Sequence, residues 1–352
     1  MRVLPFDDLS SILNNRWCAR VLFFTAAVFV TIMCAADTIA VEVVDLCQRQ
    51  QFVERHMGTR FVIVVYAPVE SRVEEAVSQA FLRVAELDAK LSNYRSDSEL
   101  NRFCTSDPHA GPQPVGHDLW NMLVQGQALA EQTVGAFDIT VGPLTKLWRR
   151  AHRRQQLPSP DLLAEAKKQT GYQHLLLDET TQRAQLKRPH MQIDLGAIAK
   201  GYAADEALSV LQKHGWTSAS VDAGGDFALA DPPPGKAGWQ IAIKVNDEKR
   251  SVPVTLTLAN QGVATSGDLW QFVEIEGRRY SHIVDPRTGL GLTTQTSATV
   301  VAPTCVMADS LASAAVVLGP DKALEWLEGM SNVEARIVTP YGQLATSRFE
   351  DK

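Results

Sequence analysis

What most constrains the fold of this chain is the order in which its hydrophobic periodicities change. Residues 60–66, RFVIVVY, are β-branched and aromatic and predict a strand. Residues 71–91 then place Val73, Val77, Phe81, Val84, Leu87 and Leu91 at helical spacing, a stripe that reads as core. Glycine and proline in 101–118 predict a loop. Further helices are predicted over 117–132, from Pro160 to before Gly171, and over 195–213, 305–318 and 321–328. Short strands are predicted over 173–178, 183–186, 217–222, 239–245, 252–258, 272–275, 279–284 and 296–302. This is not a regular βαβ alternation. Strands that follow one another across short turns pair antiparallel, whereas parallel neighbours need a long crossover. The expected class is therefore α+β, an antiparallel-rich mixed sheet with packed helices, rather than a doubly wound sheet.

Composition excludes several classes. Of 352 residues, 45% are apolar and 21% charged, which excludes a disordered chain, a collagen-like fibre and a multi-span membrane protein. The net charge of −6 argues against a protein that coats nucleic acid, and no nucleic-acid partner is expected. The cysteines Cys18, Cys34, Cys47, Cys104 and Cys305 form no C-x-x-C pair and no zinc-spaced cluster with histidine. Cys104 and Cys305 fall well inside the globular part, where a disulfide and two free thiols are both open readings.

The run VLFFTAAVFVTIMCAA at 21–36 follows Arg16 and Arg20. It is short for a spanning helix and suits the apolar region of a signal peptide. A buried core helix is the other reading, but the run is apolar all round and precedes the folded region. Residues 1–40 are thus expected to be a signal peptide or N-terminal membrane anchor, and 52–349 one globular domain. Asp7 and Asp8, and the lack of a small residue before Cys34, leave cleavage, retention and lipidation open. The domain is expected to be exported, either periplasmic or anchored to the inner membrane facing the periplasm.

Several segments carry candidate chemistry. In DLGAIAKG at 194–201, a strand-like run meets small residues and then a helix, whose free N–H groups suit an anion, with Lys200 as an added charge. A tight junction with Asp194 as helix cap is the plainer reading. In ADSLAS at 308–313, Asp309 and Ser313 are four apart and share a helix face, so a carboxylate and a hydroxyl can touch one hard cation. A local cap or ion pair at Asp309 is the alternative. His282, before the turn DPRTG, reads either as a structural residue or as a catalyst. Ser266 lacks a nucleophile-elbow context. The segments GAFDITVGPL and VDAGGD contain no G-x-G-x-x-G, which disfavours a Rossmann site. The basic stretch WRRAHRR at 148–154 reads as a solvated helix end, with a phosphate or acidic-partner contact as the alternative.

Together these segments resemble the ApbE-type FAD:protein FMN transferases. The matching pieces stand in the family's order: Met57-Gly58-Thr59, LSNYR at 91–95 with Ser98-Glu99-Leu100, GAFDITVGPL, DLGAIAKGYAAD, DAGGD, ATSGD, YSHIVDPRTG and VVAPTCVMADSLAS, spanning 57–313. The resemblance implies an α+β, T-fold-like architecture, an exported and often membrane-anchored protein, and one magnesium-dependent reaction. FAD is split at its pyrophosphate, FMN is joined through phosphate to a threonine hydroxyl of an acceptor flavoprotein, and AMP leaves. The acceptor would carry a short Thr-containing motif and could be a subunit of a membrane redox complex. By the same resemblance Met57, Tyr94, Ala136, Phe137, Asp138, Asp194, Lys200 and Val284 contact FAD, while Ala197, through its carbonyl, Asp309 and Ser313 hold Mg2+. The family commonly has threonine where this chain has Ser313, and some members carry a second carboxylate where it has Ala312. His282 is the candidate base for the threonine hydroxyl, since a neutral imidazole suits that work near pH 7. A magnesium-dependent FAD pyrophosphatase and a non-catalytic exported flavin-binding protein are the competing readings.

Overall fold

The computed structural model describes residues 47–69, 71–243, 254–267 and 272–349. The expected leader over 1–40 and Asp268 lie outside those residues, as do the last residues of the strand expected over 239–245 and the first of that over 252–258. The chain divides between Gln48 and Arg49, and Arg49–Lys352 forms one compact unit. Among the described residues no helix is long and apolar enough to cross a membrane.

In chain order the strands are β1 (Cys47–His56), β2 (Thr59–Pro68), β3 (Gln113–Pro114), β4 (Leu175–Asp178), β5 (Arg183–Leu186), β6 (Ala219–Ala223), β7 (Phe227–Leu229), β8 (Trp239–Ile243), β9 (Val254–Leu258), β10 (Gln261–Gly267), β11 (Phe272–Ile275), β12 (Arg278–Ser281), β13 (Val284–Asp285), β14 (Leu290–Gly291), β15 (Ser297–Ala302), β16 (Glu334–Thr339) and β17 (Gly342–Ala345). The helices are α1 (Val73–Leu91), α2 (Glu99–Cys104), α3 (His117–Gln132), α4 (Gly142–Arg154), α5 (Pro160–Lys168), α6 (Ala199–Lys213), α7 (Cys305–Leu318) and α8 (Pro320–Glu328).

Eight strands form one sheet in the order β1-β2-β6-β7-β10-β15-β16-β17. The ladders from β2 through β17 are antiparallel, with Ile63 opposite Val221 and Val263 opposite Val301. The α+β expectation is met. Strand β2 reads as continuously apolar because both faces of the sheet are covered. Phe61, Ile63 and Val65 point into the main core with α1, α6 and α7. Val64 points the other way, onto Trp239, Leu256 and Leu258 of the β8–β9 hairpin.

Helix α7 is buried on nearly all sides and lies on β10 and β15, against α6. Two glycines allow this approach. A Cβ on Gly201 would stand 2.5 Å from the Cys305 carbonyl oxygen, and one on Gly262 of β10 would collide with the Cys305 backbone. The start of α7 is capped from α6, where the Asp205 carboxylate accepts the N–H groups of Cys305 (2.9 Å) and Val306 (2.8 Å).

Some expectations need correction. The loop expected over 101–118 takes in the last four residues of α2, begun by Ser98, whose hydroxyl accepts the Asn101 N–H at 3.0 Å, and also β3. The strand expected over 279–284 is two strands, β12 and β13, because the chain turns a corner at His282-Ile283. The helix expected over 195–213 begins at Ala199, so Asp194 does not cap it. Cys104 and Cys305 are free thiols, as is Cys47.

Candidate active site

The centre of the site is the junction of α6, α7 and the β6–β7 turn. Within Asp222-Ala223-Gly224-Gly225-Asp226, both glycines have positive φ, and the Asp222 carboxylate accepts the Gly225 N–H at 2.7 Å. This turn aims the buried Asp226 at Lys200, with which it forms a close ion pair. Lys200 lies in the first turn of α6 and also reaches Asp309 of α7, at 3.8 Å. Burial works against the charge on Lys200, but Asp309 and Asp226 outweigh it and raise its pKa. Burial, reinforced by Asp309 and opposed by Lys200, holds the Asp226 carboxyl well above the ordinary carboxylate range. One firm cation thus sits between two acids.

Asp309 is oriented by the backbone. The Gly201 N–H donates to its Oδ2 at 3.2 Å rather than closing the first turn of α6 onto the Ala197 carbonyl. Ala197 stands four residues before Gly201, just ahead of the first turn of α6. Ser313, one turn along the same face of α7, donates to the Ser266 hydroxyl of β10 at 3.2 Å. The donors are a carboxylate, a carbonyl and a hydroxyl, all hard oxygens of the kind magnesium takes, and few enough to leave positions for phosphate and water. No group of three His, Cys, Asp or Glu side chains with metal-holding geometry occurs among the described residues, so a soft-metal centre has no donor set there.

A second group lies around Asp194. Its Oδ1 accepts the Gly196 N–H (3.0 Å), and its Oδ2 accepts Thr145 Oγ1 (2.7 Å) and Arg149 Nη2 (2.9 Å) from α4. The Arg149 guanidinium also lies 4.6 Å from the centroid of the exposed Tyr94 ring. The structure thus links Tyr94 to Asp194 through a residue that the sequence reading assigned to a solvated helix end. For Arg150, Arg153 and Arg154 that reading stands, since all three are exposed.

The remaining candidates frame these groups. The Asp194 N–H donates to Ile139 at 2.7 Å, which sets the 136–140 loop beside it. There Ala136 and Phe137 are buried. Asp138 is also buried and accepts from the Thr140 N–H (2.8 Å), the Thr140 hydroxyl (2.7 Å) and the Tyr172 N–H (2.9 Å). Burial raises its pKa against those hydrogen bonds. Met57 and Gly58 make the β1–β2 turn, both at positive φ, and the Met57 N–H donates to Asp88 at 3.3 Å. Gly224 packs so closely on Thr59 that a Cβ would clash, so the Met57-Gly58-Thr59 turn lies against the turn that carries Asp226. Val284 is buried with Leu144 and Trp148 of α4, and the Trp148 indole donates to the Gly289 carbonyl at 2.8 Å. His282 occupies the exposed corner between β12 and β13. Asp226, Asp205, Thr145 and Arg149 carry no role in the sequence reading. Asp226 and Asp205 had a signal there, as the last residues of DAGGD and DLGAIAKGYAAD, and Arg149 lies within the basic stretch WRRAHRR.

Comparison with known proteins agrees with this architecture. The sequence model of the ApbE family matches residues 57–337. An FAD:protein FMN transferase of Haemophilus influenzae is 35% identical over 250 residues, covering 69% of this chain and 72% of the relative. One of Klebsiella pneumoniae is 33% identical over 276 residues, covering 76% and 78%. The flavin transferase ApbE of Vibrio cholerae superposes with a TM-score of 0.79 at 28% identity, covering 86% of this chain and 98% of that one. The apo flavinyl transferase ApbE of Pseudomonas stutzeri gives 0.74 at 30% identity, covering 86% and 95%.

Proposed function

The chain belongs to the ApbE family, and from that premise we propose its function. It is an FAD:protein FMN transferase that takes FMN from FAD, joins it to a threonine hydroxyl of an acceptor protein and releases AMP. The observation that carries the reading is Lys200, lodged between Asp226 and Asp309 in the first turn of a helix.

Phosphoryl transfer needs a positioned nucleophile, an in-line leaving group and neutralisation of negative charge. The charged Lys200, in the first turn of α6, suits the pyrophosphate oxygens. Asp226 keeps that ammonium group in place. Asp309, the Ala197 carbonyl and Ser313 are the residues that would hold Mg2+. Bound there, the ion would supply charge neutralisation at the phosphates. Met57, Tyr94, Ala136, Phe137, Asp138, Asp194 and Val284 surround the dinucleotide in this reading. His282, on its exposed corner, accepts the threonine proton as the oxygen attacks the FMN phosphorus and the bond to AMP breaks. Residues 1–40 direct the domain to the periplasm, cleaved or kept as an inner-membrane anchor, where a flavoprotein of a membrane redox complex is the acceptor.

The test is incubation with FAD, Mg2+ and a threonine-bearing acceptor. A flavin-fluorescent acceptor band on a denaturing gel, with one AMP per flavin, is expected. Asp309→Ala should abolish magnesium-dependent AMP release, and near-normal turnover at limiting magnesium would refute the metal assignment. His282→Ala should still bind FAD but transfer about 10²- to 10⁴-fold more slowly. Free FMN without a labelled band would assign a pyrophosphatase instead, and FAD retained without AMP a binding protein.

A further inference from the structure

We propose that Arg149 is a substrate-binding residue of this site, forming with Tyr94 a platform of two planar groups that receives one aromatic ring of the dinucleotide. The proposal rests on the transferase reading. Helix α4 is strongly amphipathic: Leu144, Trp148 and Ala151 are buried, and Arg150, Arg153 and Arg154 are exposed. Cations at a helix C-terminus suit the helix dipole and need no further role. Arg149 behaves differently. It is half-buried, donates to Asp194 at 2.9 Å and lies over the Tyr94 ring at 4.6 Å.

Both ends of this arrangement are held. Asp194 also accepts from Thr145, one turn before Arg149, and from the Gly196 N–H, so the carboxylate that orients the guanidinium is itself fixed. Tyr94 sits in a short segment tied to α2, where Asn101 Nδ2 donates to the Arg95 carbonyl at 2.6 Å. Yet the Tyr94 ring remains 78% exposed. A large ring held in solvent on a fixed segment, with a guanidinium over it, is a stacking surface rather than core. Heteroaromatic stacking on a tyrosine outweighs a solvent-exposed cation contact, so an incoming ring can share or displace the guanidinium. Asp194, which holds Arg149, and Lys200 lie in one eight-residue segment, 194–201, which joins the Tyr94–Arg149 pair to the junction at Lys200. Arginine suits this place because its planar fork can stack and hydrogen-bond in its own plane at once, which lysine cannot do.

The test measures FAD binding to the full chain with Mg2+ and no acceptor, by quenching of flavin fluorescence. Arg149→Ala and Arg149→Lys should each weaken FAD about 10-fold, or ~1.4 kcal/mol. Tyr94→Ala should weaken binding similarly, and the double variant by less than the product of the two. Competition with FMN and with AMP identifies the ring, since only the one bearing it should lose affinity in Arg149→Ala. Unchanged FAD binding in both arginine variants overturns the proposal, as does full rescue by lysine. Wild-type protein that fails to bind FAD sinks the transferase reading as well, which separates the two failures.

Discussion

A single missing Cβ links packing to chemistry at Gly201. Its bare Cα lets α7 approach α6, and its N–H orients the Asp309 carboxylate. Gly201→Ala would place a methyl group 2.5 Å from the Cys305 oxygen and 2.7 Å from the Val306 Cα, both backbone atoms that cannot rotate away. We expect a loss of about 1–3 kcal/mol in urea unfolding, together with a higher magnesium requirement for AMP release. Wild-type stability and an unchanged magnesium titration would contradict that coupling. At the same scale, Asp226 shows what a motif withholds. DAGGD announces a tight turn, but only the fold reveals that its last carboxylate ends at Lys200.

Between elements, polar contacts fix how the helices meet. Asp205 of α6 supplies the acceptors for the first N–H groups of α7, which are otherwise buried and unpaired. Asp205→Ala should cost about 1–3 kcal/mol, and Asp205→Asn, which keeps one acceptor oxygen, should cost less. Chemical denaturation of the three proteins checks that order, and equal costs for Ala and Asn would sink it. A second junction ties α1, α3 and α6. Arg83 pairs with the buried Asp118 and with Glu206 (2.7 Å), Lys90 reaches Asp118 at 2.9 Å, and the Tyr202 hydroxyl donates to Asp118 at 2.9 Å. Burial alone would raise the Asp118 pKa, but the hydrogen bonds from Arg83, Lys90 and Tyr202 outweigh it and hold the carboxyl well below its usual range. A depressed acid stabilises the fold above its unfolded pKa of about 3.9, and that stability is lost as pH falls toward the lower folded value. Asp118→Asn should therefore destabilise at pH 7, with the gap from wild type closing below about pH 4. A gap that stays constant from neutral to strongly acidic pH would show that the charge is not the cause.

Across the whole molecule, one antiparallel sheet covered on both faces carries the site at the ends of several distant segments. The compact unit begins at Arg49 and contains every described site residue. A chain lacking residues 1–46 should keep its melting temperature and its FAD-dependent AMP release, while its share in the membrane fraction of expressing cells falls. An unchanged membrane share would remove the leader or anchor reading, and lost activity would show that the segment serves the fold.

Helices and strands with clear periodicity were legible because periodicity is a local property, complete within ten to twenty residues. Thus α3 and α7 and strands β5 and β11 have the bounds that their patterns predict. The ordered motifs from Met57 to Ser313 likewise identified the family, since side-chain type needs no coordinates. Strand β10 escaped notice because GVATS is small and weakly β-forming, yet it is central to the sheet since only small residues admit α7 so closely. Arg149 had no signal separating it from Arg150, and Asp205 caps a helix one hundred residues away. Which cation turns inward, and which carboxylate meets which helix, depends on packing between segments far apart in the chain, and only the tertiary structure decides that.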